Sequence, residues 1–185
     1  MSSTTAVLIV MALVVAGLIM LGYLARRRSR VLHDRFAGEY DRVVRERGSV
    51  HDAERELHRR ARRVERLTIR PLPPDQRSKF AERWKAEQAH FVDEPRAAVV
   101  EADHLVEEVM RVRGYPVAEF EQRAADISVD HPRVVENYRA AHQIAARERG
   151  GDASTEDLRK AMIYYRSLFE ELLDDRMVPA GAAAR

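Results

Sequence analysis

Cysteine is absent from this chain of 185 residues, and aromatic residues, glycine and proline are scarce. The absence of cysteine excludes disulfide bonds, thiolate metal sites and thiol nucleophiles. Aromatic residues make up 6% of the sequence, which has 8 glycines and 7 prolines. A composition of this kind is untypical of β-sandwiches and of disordered chains, and it favours a helix-rich protein.

Recognised catalytic motifs are also missing. The sequence has no glycine-rich phosphate loop, no Gly-x-Ser-x-Gly nucleophile motif and no His-Glu-x-x-His zinc motif. Because each motif supplies residues that its chemistry requires, their absence favours a protein that is not an enzyme. From the sequence we assign no catalytic residue, no cofactor and no metal ligand.

One long stretch of the chain lacks charged side chains, namely residues 5–25, from Thr5 to Ala25. A helix of this length measures about 31 Å, close to the about 30 Å of a bilayer's hydrocarbon core. A cleavable signal peptide is the alternative, but no basic side chain precedes the stretch and no Ala-x-Ala-like cleavage site ends it. The sequence therefore predicts a transmembrane helix that contacts the lipid bilayer over residues 5–25.

Arginines follow this stretch immediately and predict its orientation. Arg26, Arg27, Arg28 and Arg30 come directly after it, whereas no basic side chain comes before it. Positive charge beside a membrane helix stays on the cytoplasmic side. We therefore expect a single-pass protein of the plasma membrane, with its N-terminus outside and its C-terminal body in the cytoplasm.

Charge divides the remaining chain at the proline-dense segment 70–74. Residues 26–70 carry 15 arginines against 8 acidic residues, whereas residues 71–185 carry 17 basic and 22 acidic residues. We therefore predict five segments: an extracytoplasmic N-terminus at 1–4, the transmembrane helix at 5–25, a basic juxtamembrane helical arm at 26–70, a helical bundle at 71–175 and a flexible tail at 176–185.

Apolar residues recur at spacings of three and four, and no sustained alternation of period two is present. Helix-start signals occur at Ser49, Pro95 and Ser154, and glycines that can end helices occur at Gly48 and Gly114. These patterns predict an all-α fold, in which an N-terminal transmembrane helix is followed by a basic helical arm and a multi-helix cytoplasmic bundle.

An amphipathic helix beginning near Ser49 places arginines opposite an apolar stripe. Ala53, Leu57, Ala61 and Val64 fall within about 80° of one another at about 100° per residue. With the four juxtamembrane arginines, the opposite face gives our set of lipid- or partner-facing basic residues: Arg26, Arg27, Arg28, Arg30, Arg55, Arg59, Arg62 and Arg66. The alternatives are a solvated face partly neutralised by neighbouring glutamates, anionic lipid, an acidic protein, or nucleic acid, which we do not expect because no DNA-binding motif accompanies the charge.

Two Glu-x-x-His pairs have the spacing that di-iron helical bundles use. They are Glu87 with His90 and Glu101 with His104, and a hairpin centred near residues 93–94 would place the two glutamates level with each other. Pairs of this kind are also expected by chance in a chain rich in glutamate. This pattern therefore has two interpretations. The pairs either lie on solvated helix faces or belong to a metal-dependent enzyme at the inner leaflet.

A second polar cluster comprises Asp126, Asp130, His131, Tyr138 and His142. Asp130 or His131 can cap a helix that Pro132 opens, and Tyr138 and His142 lie four residues apart on one helical face. Packing with hydrogen bonding is one interpretation of this cluster, and a catalytic base is the other.

Five short segments carry a family resemblance: Phe36-Ala-Gly-Glu-Tyr-Asp41, Phe91-Val-Asp-Glu-Pro95, Arg113-Gly-Tyr-Pro116, Asp126-Ile-Ser-Val-Asp-His131 and Tyr138-Arg-Ala-Ala-His142. Together they resemble a group of uncharacterised, small, membrane-anchored helical proteins of actinobacteria. The resemblance implies the same architecture and no assigned activity. Our leading hypothesis is a membrane-tethered, non-catalytic interaction or scaffold module whose helical body binds a cytoplasmic protein.

Overall fold

The computed structural model describes residues 3–116 and 118–174, apart from the side chains of residues 3–10, 12, 14, 21, 24, 25 and 28. This part of the chain is 82% helix and contains no strand, so the predicted all-α, multi-helix bundle is confirmed. The helices are α1 (Ser3–Phe36), α2 (Gly38–Arg47), α3 (Val50–Val64), α4 (Pro74–Asp93), α5 (Pro95–Arg113), α6 (Phe120–Asp130), α7 (Val135–Glu148) and α8 (Thr155–Leu173).

The predicted membrane helix does not meet the requirements of a span. Among the described residues, no helix combines the length and the apolar character needed to cross a membrane. The predicted single-pass localisation in the plasma membrane, with a cytoplasmic body, is therefore wrong.

Several N- and C-terminal predictions fall outside the described part of the chain. Residues 1 and 2, the side chains of residues 5–10 within the predicted span, and the predicted tail at 176–185 all lie there. Within the described part, α1 continues through the arginines without a break and ends at Phe36.

A single non-helical residue, Ala37, separates α1 from α2. Its φ of 45° and ψ of −130° are outside the helical region. Phe36, Tyr40 and Val43, on either side of this interruption, are all buried in the core. Nothing in the local sequence signals the interruption, and α2 ends at Gly48, one of the glycines identified as able to end a helix.

Side-chain caps account for the starts of α3 and α8. Ser49 accepts a hydrogen bond from the backbone N–H of Asp52, 3.5 Å away, at the start of α3. Ser154 and Asp157 form a complete capping box at the start of α8. By contrast, the predicted helix start at Pro132 is displaced, because Pro132 lies in a turn and α7 begins at Val135.

One hydrophobic core joins the basic segment to the rest of the bundle. Helix α5 packs against α4, α7 and α8, while α3 packs on α6 and α2 contacts α7. Trp84 of α4 stacks on Phe169 of α8, with 4.7 Å between the ring centroids. Leu57 and Val64 of α3 belong to the same cluster of buried side chains. One face of α3 therefore packs against the core, and the opposite face is exposed to solvent.

The linker between α3 and α4 is fastened to the end of α5. Ile69 and Leu72 are buried, and the backbone N–H of Arg70 donates to the carbonyl oxygen of Arg113 at 2.8 Å. Gly114 has a φ of 100°, and a Cβ at this position would clash with the carbonyl oxygen of Thr68. The close approach of the two backbone segments therefore requires glycine at position 114.

Gly114→Ala is expected to lower the free energy of unfolding by about 1–3 kcal/mol, because it combines a strained φ with a backbone clash. Gly48→Ala is the matched control, since Gly48 also has a positive φ but has open space around its Cβ position. Urea unfolding followed by circular dichroism should show the larger loss for Gly114→Ala. Equal losses in the two variants would contradict the role given to the clash.

Candidate functional site

The arginines of α3 separate into an inner and an outer group. Arg60 is 6% exposed, and Arg63 forms an ion pair with the buried Asp126. Arg55, Arg59 and Arg62 are exposed to solvent. The direction of each side chain therefore decides whether an arginine holds the helix in place or is available to a partner.

Glu39 is the centre of the inner group. Its side chain is fully buried, and its Oε1 accepts hydrogen bonds from Arg42 at 3.1 Å and from Arg60 at 2.8 Å. Arg139 of α7 donates to the same oxygen at 3.1 Å. One carboxylate thus joins α2, α3 and α7, and Arg139 extends the cluster to Glu121 of α6 at 2.6 Å.

A second buried carboxylate fixes the other end of α3. Asp126 is 1% exposed, and Arg63 donates to its Oδ1 through Nε at 2.7 Å. Gln122 donates to the same oxygen at 3.0 Å. Two buried carboxylates, Glu39 of α2 and Asp126 of α6, therefore determine the orientation of α3.

The outer face of α3 contains a surface depression of about 280 Å³, lined by Arg47, Asp52, Arg55 and Arg59. Arg55 and Arg59 belong to the set of partner-facing residues predicted from the sequence. Arg47 does not; it is the last residue of α2, and the turn at Gly48 and Ser49 brings it beside α3. That turn was the signal that could have added Arg47 to the set.

Two carboxylates hold the arginines of this depression. Asp52 accepts a hydrogen bond from Nη2 of Arg55, and this bond lowers the pKa of Asp52. Glu56 accepts from Arg59 at 2.6 Å and forms an ion pair with Arg47 at 3.1 Å. Burial alone would raise the pKa of Glu56, but hydrogen bonds from Arg59 and Arg60 outweigh burial and lower it.

The remaining predicted basic residues lie around this depression or on α1. Arg62 and Arg66 are exposed, and neither guanidinium group has an ion-pair partner among the described residues. Residues 55, 59 and 62 of α3 fall within about 60° of one another at the helical angle of about 100° per residue, whereas Arg66 lies in the turn that follows α3. Arg26, Arg27 and Arg30 are exposed on α1, and the side chain of Arg28 lies outside the described part.

The two Glu-x-x-His pairs do not come together as a metal centre. His90 Nδ1 lies 3.3 Å from Glu87 Oε2, and His104 Nδ1 lies 3.8 Å from Glu101 Oε1, so each pair is closed within its own helix. Across the part of the chain that the structure describes, no three His, Asp or Glu side chains group as candidate metal ligands. The di-iron hypothesis therefore lacks the shared site that it requires.

The second predicted cluster is divided among three places. Asp126 binds Arg63, as described above. Asp130 accepts a hydrogen bond from Tyr115 at 2.9 Å, and His131 lies 3.5 Å from Glu171. Tyr138 accepts from Arg123 at 3.3 Å, while His142 stacks on Phe120 with 3.6 Å between the ring centroids.

Burial is the main cause of the pKa shifts of Tyr138 and His131. Burial raises the pKa of Tyr138 to about 12. Burial and the positive charge of Arg113 lower the pKa of His131, although Glu171 and Asp130 act in the opposite direction. Tyr138 and His142 both pack on Phe120, whereas the other three residues of the cluster contact different neighbours.

Comparison of the chain with protein-family models, with curated proteins and with solved structures finds no match.

Glu39→Gln is expected to lower the free energy of unfolding by about 3–5 kcal/mol, because it removes the buried carboxylate that Arg60 and Arg139 share. Glu170→Gln is the control: its side chain is 68% exposed and its ion-pair partner Arg166 is 47% exposed, so its loss should cost less than about 1 kcal/mol. Urea unfolding of both variants measures the difference. Similar costs for the two variants would exclude Glu39 as the dominant contact.

His131 is expected to make the protein less stable in mild acid. Its pKa is lowered in the folded state, so below about pH 6.5 the unfolded chain binds a proton that the folded chain binds less well. The resulting stability is complete above pH 6.5 and declines as the pH falls toward the folded pKa. Unfolding curves at pH 7.5 and 5.5 should differ less for His131→Gln than for the unmodified protein, and an unchanged difference would contradict this assignment.

Proposed function

We propose that this protein is a non-catalytic helical interaction module that binds an acidic segment of a protein partner through the outer face of α3. The observation that carries the proposal is the depression lined by Arg47, Arg55 and Arg59, whose side chains are 48%, 62% and 59% exposed. Arg62 extends the same positive surface along α3, and Arg66 is exposed in the turn that follows the helix.

The rigidity of the inner face supports this proposal. Glu39 and Asp126 fix the orientation of α3 through buried ion pairs, so the outer arginines are presented from a helix that need not be ordered on binding. Preorganisation of this kind reduces the entropic cost of association. Arginine also suits the task, since its planar guanidinium group binds carboxylates with defined geometry.

A protein partner is favoured over nucleic acid because of the composition of the face. Asp52 and Glu56 lie among the arginines, and their negative charges would repel a uniformly charged phosphate backbone. The residues lining the depression include no aromatic ring on which bases could stack. An acidic peptide carries its carboxylates on flexible side chains, which can turn away from Asp52 and Glu56 while they contact the arginines.

The proposal predicts that a fluorescein-labelled decaglutamate peptide binds the full-length protein, as measured by fluorescence anisotropy at pH 7.5 and low salt. The variant Arg47→Gln/Arg55→Gln/Arg59→Gln should bind at least about tenfold more weakly, because three charge-assisted hydrogen bonds are lost. Binding should also weaken as salt is added, since exposed charges are screened.

A matched variant distinguishes loss of the binding site from a simple loss of net positive charge. Arg83→Gln/Arg96→Gln/Arg159→Gln removes three arginines that are also exposed and also paired with glutamates, so it should change the affinity less than about threefold. Equal weakening by both triple variants would overturn the proposal. If a ten-nucleotide thymidine strand bound more tightly than decaglutamate, the partner would be identified as nucleic acid and not as an acidic protein.

A further inference from the structure

We propose that Asp52 is an internal competitor for the partner's carboxylates, and that it leaves Arg55 when the partner binds. This inference rests on the proposed function of the outer face of α3. Asp52 lies inside the depression and accepts a hydrogen bond from Nη2 of Arg55. A carboxylate of the chain itself therefore occupies the position in which an acidic partner would place one of its own.

The two carboxylates of the depression differ in how firmly they are held. Glu56 is 15% exposed and is bound by Arg47, Arg59 and the buried Arg60. Asp52 is 43% exposed, and Arg55 is its ion-pair partner in the described part of the chain. Glu56 is thus a fixed part of the site that positions two arginines, whereas Asp52 is bound through a single contact.

Exchange at Arg55 requires no other part of the fold to move. The start of α3 depends on Ser49, whose hydroxyl oxygen accepts from the backbone N–H of Asp52 and not from its side chain. The Asp52 carboxylate can therefore rotate into solvent while its backbone keeps the helix cap. Ion pairs between exposed groups are weak and exchange readily, so a partner that offers several carboxylates can displace this one.

The consequence is that removal of the Asp52 charge should strengthen binding. Asp52→Asn is expected to bind labelled decaglutamate about two- to fivefold more tightly than the unmodified protein, which is the range expected for loss of one exposed ion pair. The measurement is fluorescence anisotropy with the full-length chain at pH 7.5, and circular dichroism verifies that the helix content is unchanged.

Glu65→Gln controls for the simple gain of positive charge. Glu65 caps the C-terminus of α3 and is exposed, so its neutralisation changes the net charge by the same amount without releasing Arg55. A second control measures Asp52→Asn in an Arg55→Gln background. If Asp52 acts by competing for Arg55, the gain in affinity caused by Asp52→Asn should fall to the gain caused by Glu65→Gln once Arg55 is replaced.

The outcomes distinguish this inference from the function on which it rests. Tighter binding that requires Arg55 supports competition by Asp52. A gain no larger than that of Glu65→Gln, or a gain that persists without Arg55, overturns the inference while the partner-binding proposal stands. Absence of arginine-dependent binding in the unmodified protein and in Asp52→Asn overturns both.

Discussion

Three guanidinium groups share a single buried carboxylate oxygen, that of Glu39, and the position of the α2–α3 hairpin depends on this cluster. Burial of one charge is costly unless opposite charges and hydrogen bonds compensate it. Because Arg60 comes from α3 and Arg139 from α7, the compensation is available only when both helices are docked. The ion cluster therefore adds a directional constraint to the packing of the apolar side chains of the hairpin, which include Tyr40, Val43 and Leu57.

This docking gives one residue type two roles along a single helix. The guanidinium groups of Arg60 and Arg63 point inward, where buried carboxylates neutralise them. Those of Arg55 and Arg59 point outward, where they pair with Asp52 and Glu56 of the same helix. The bare count of arginines therefore overstates the charge that a partner can reach, and the direction of each side chain is what matters.

Local signals in the sequence were sufficient for the helical class and for the starts of α3, α5 and α8, because caps and N1 prolines act within one turn. The inward direction of Arg60 was also readable, since at 100° per residue it falls about 20° from Ala53, on the apolar side. The pairing of Arg60 with Glu39 could not be predicted from the sequence, because the two residues are 21 positions apart and are brought together by the docked hairpin. The interruption at Ala37 could not be predicted from the sequence for the same reason. The apolar character of residues 5–25 alone was too weak a basis for predicting a membrane span.

Arg113 joins segments that lie far apart in the sequence. Its guanidinium group is almost fully buried and donates to the carbonyl oxygen of Leu172, 59 residues away, at 2.7 Å. The backbone carbonyl oxygen of Arg113 accepts a hydrogen bond from the backbone N–H of Arg70. The linker before α4 and the last turn of α8 are thus tied to the same residue, so loosening of α8 would leave a buried positive charge without its acceptor.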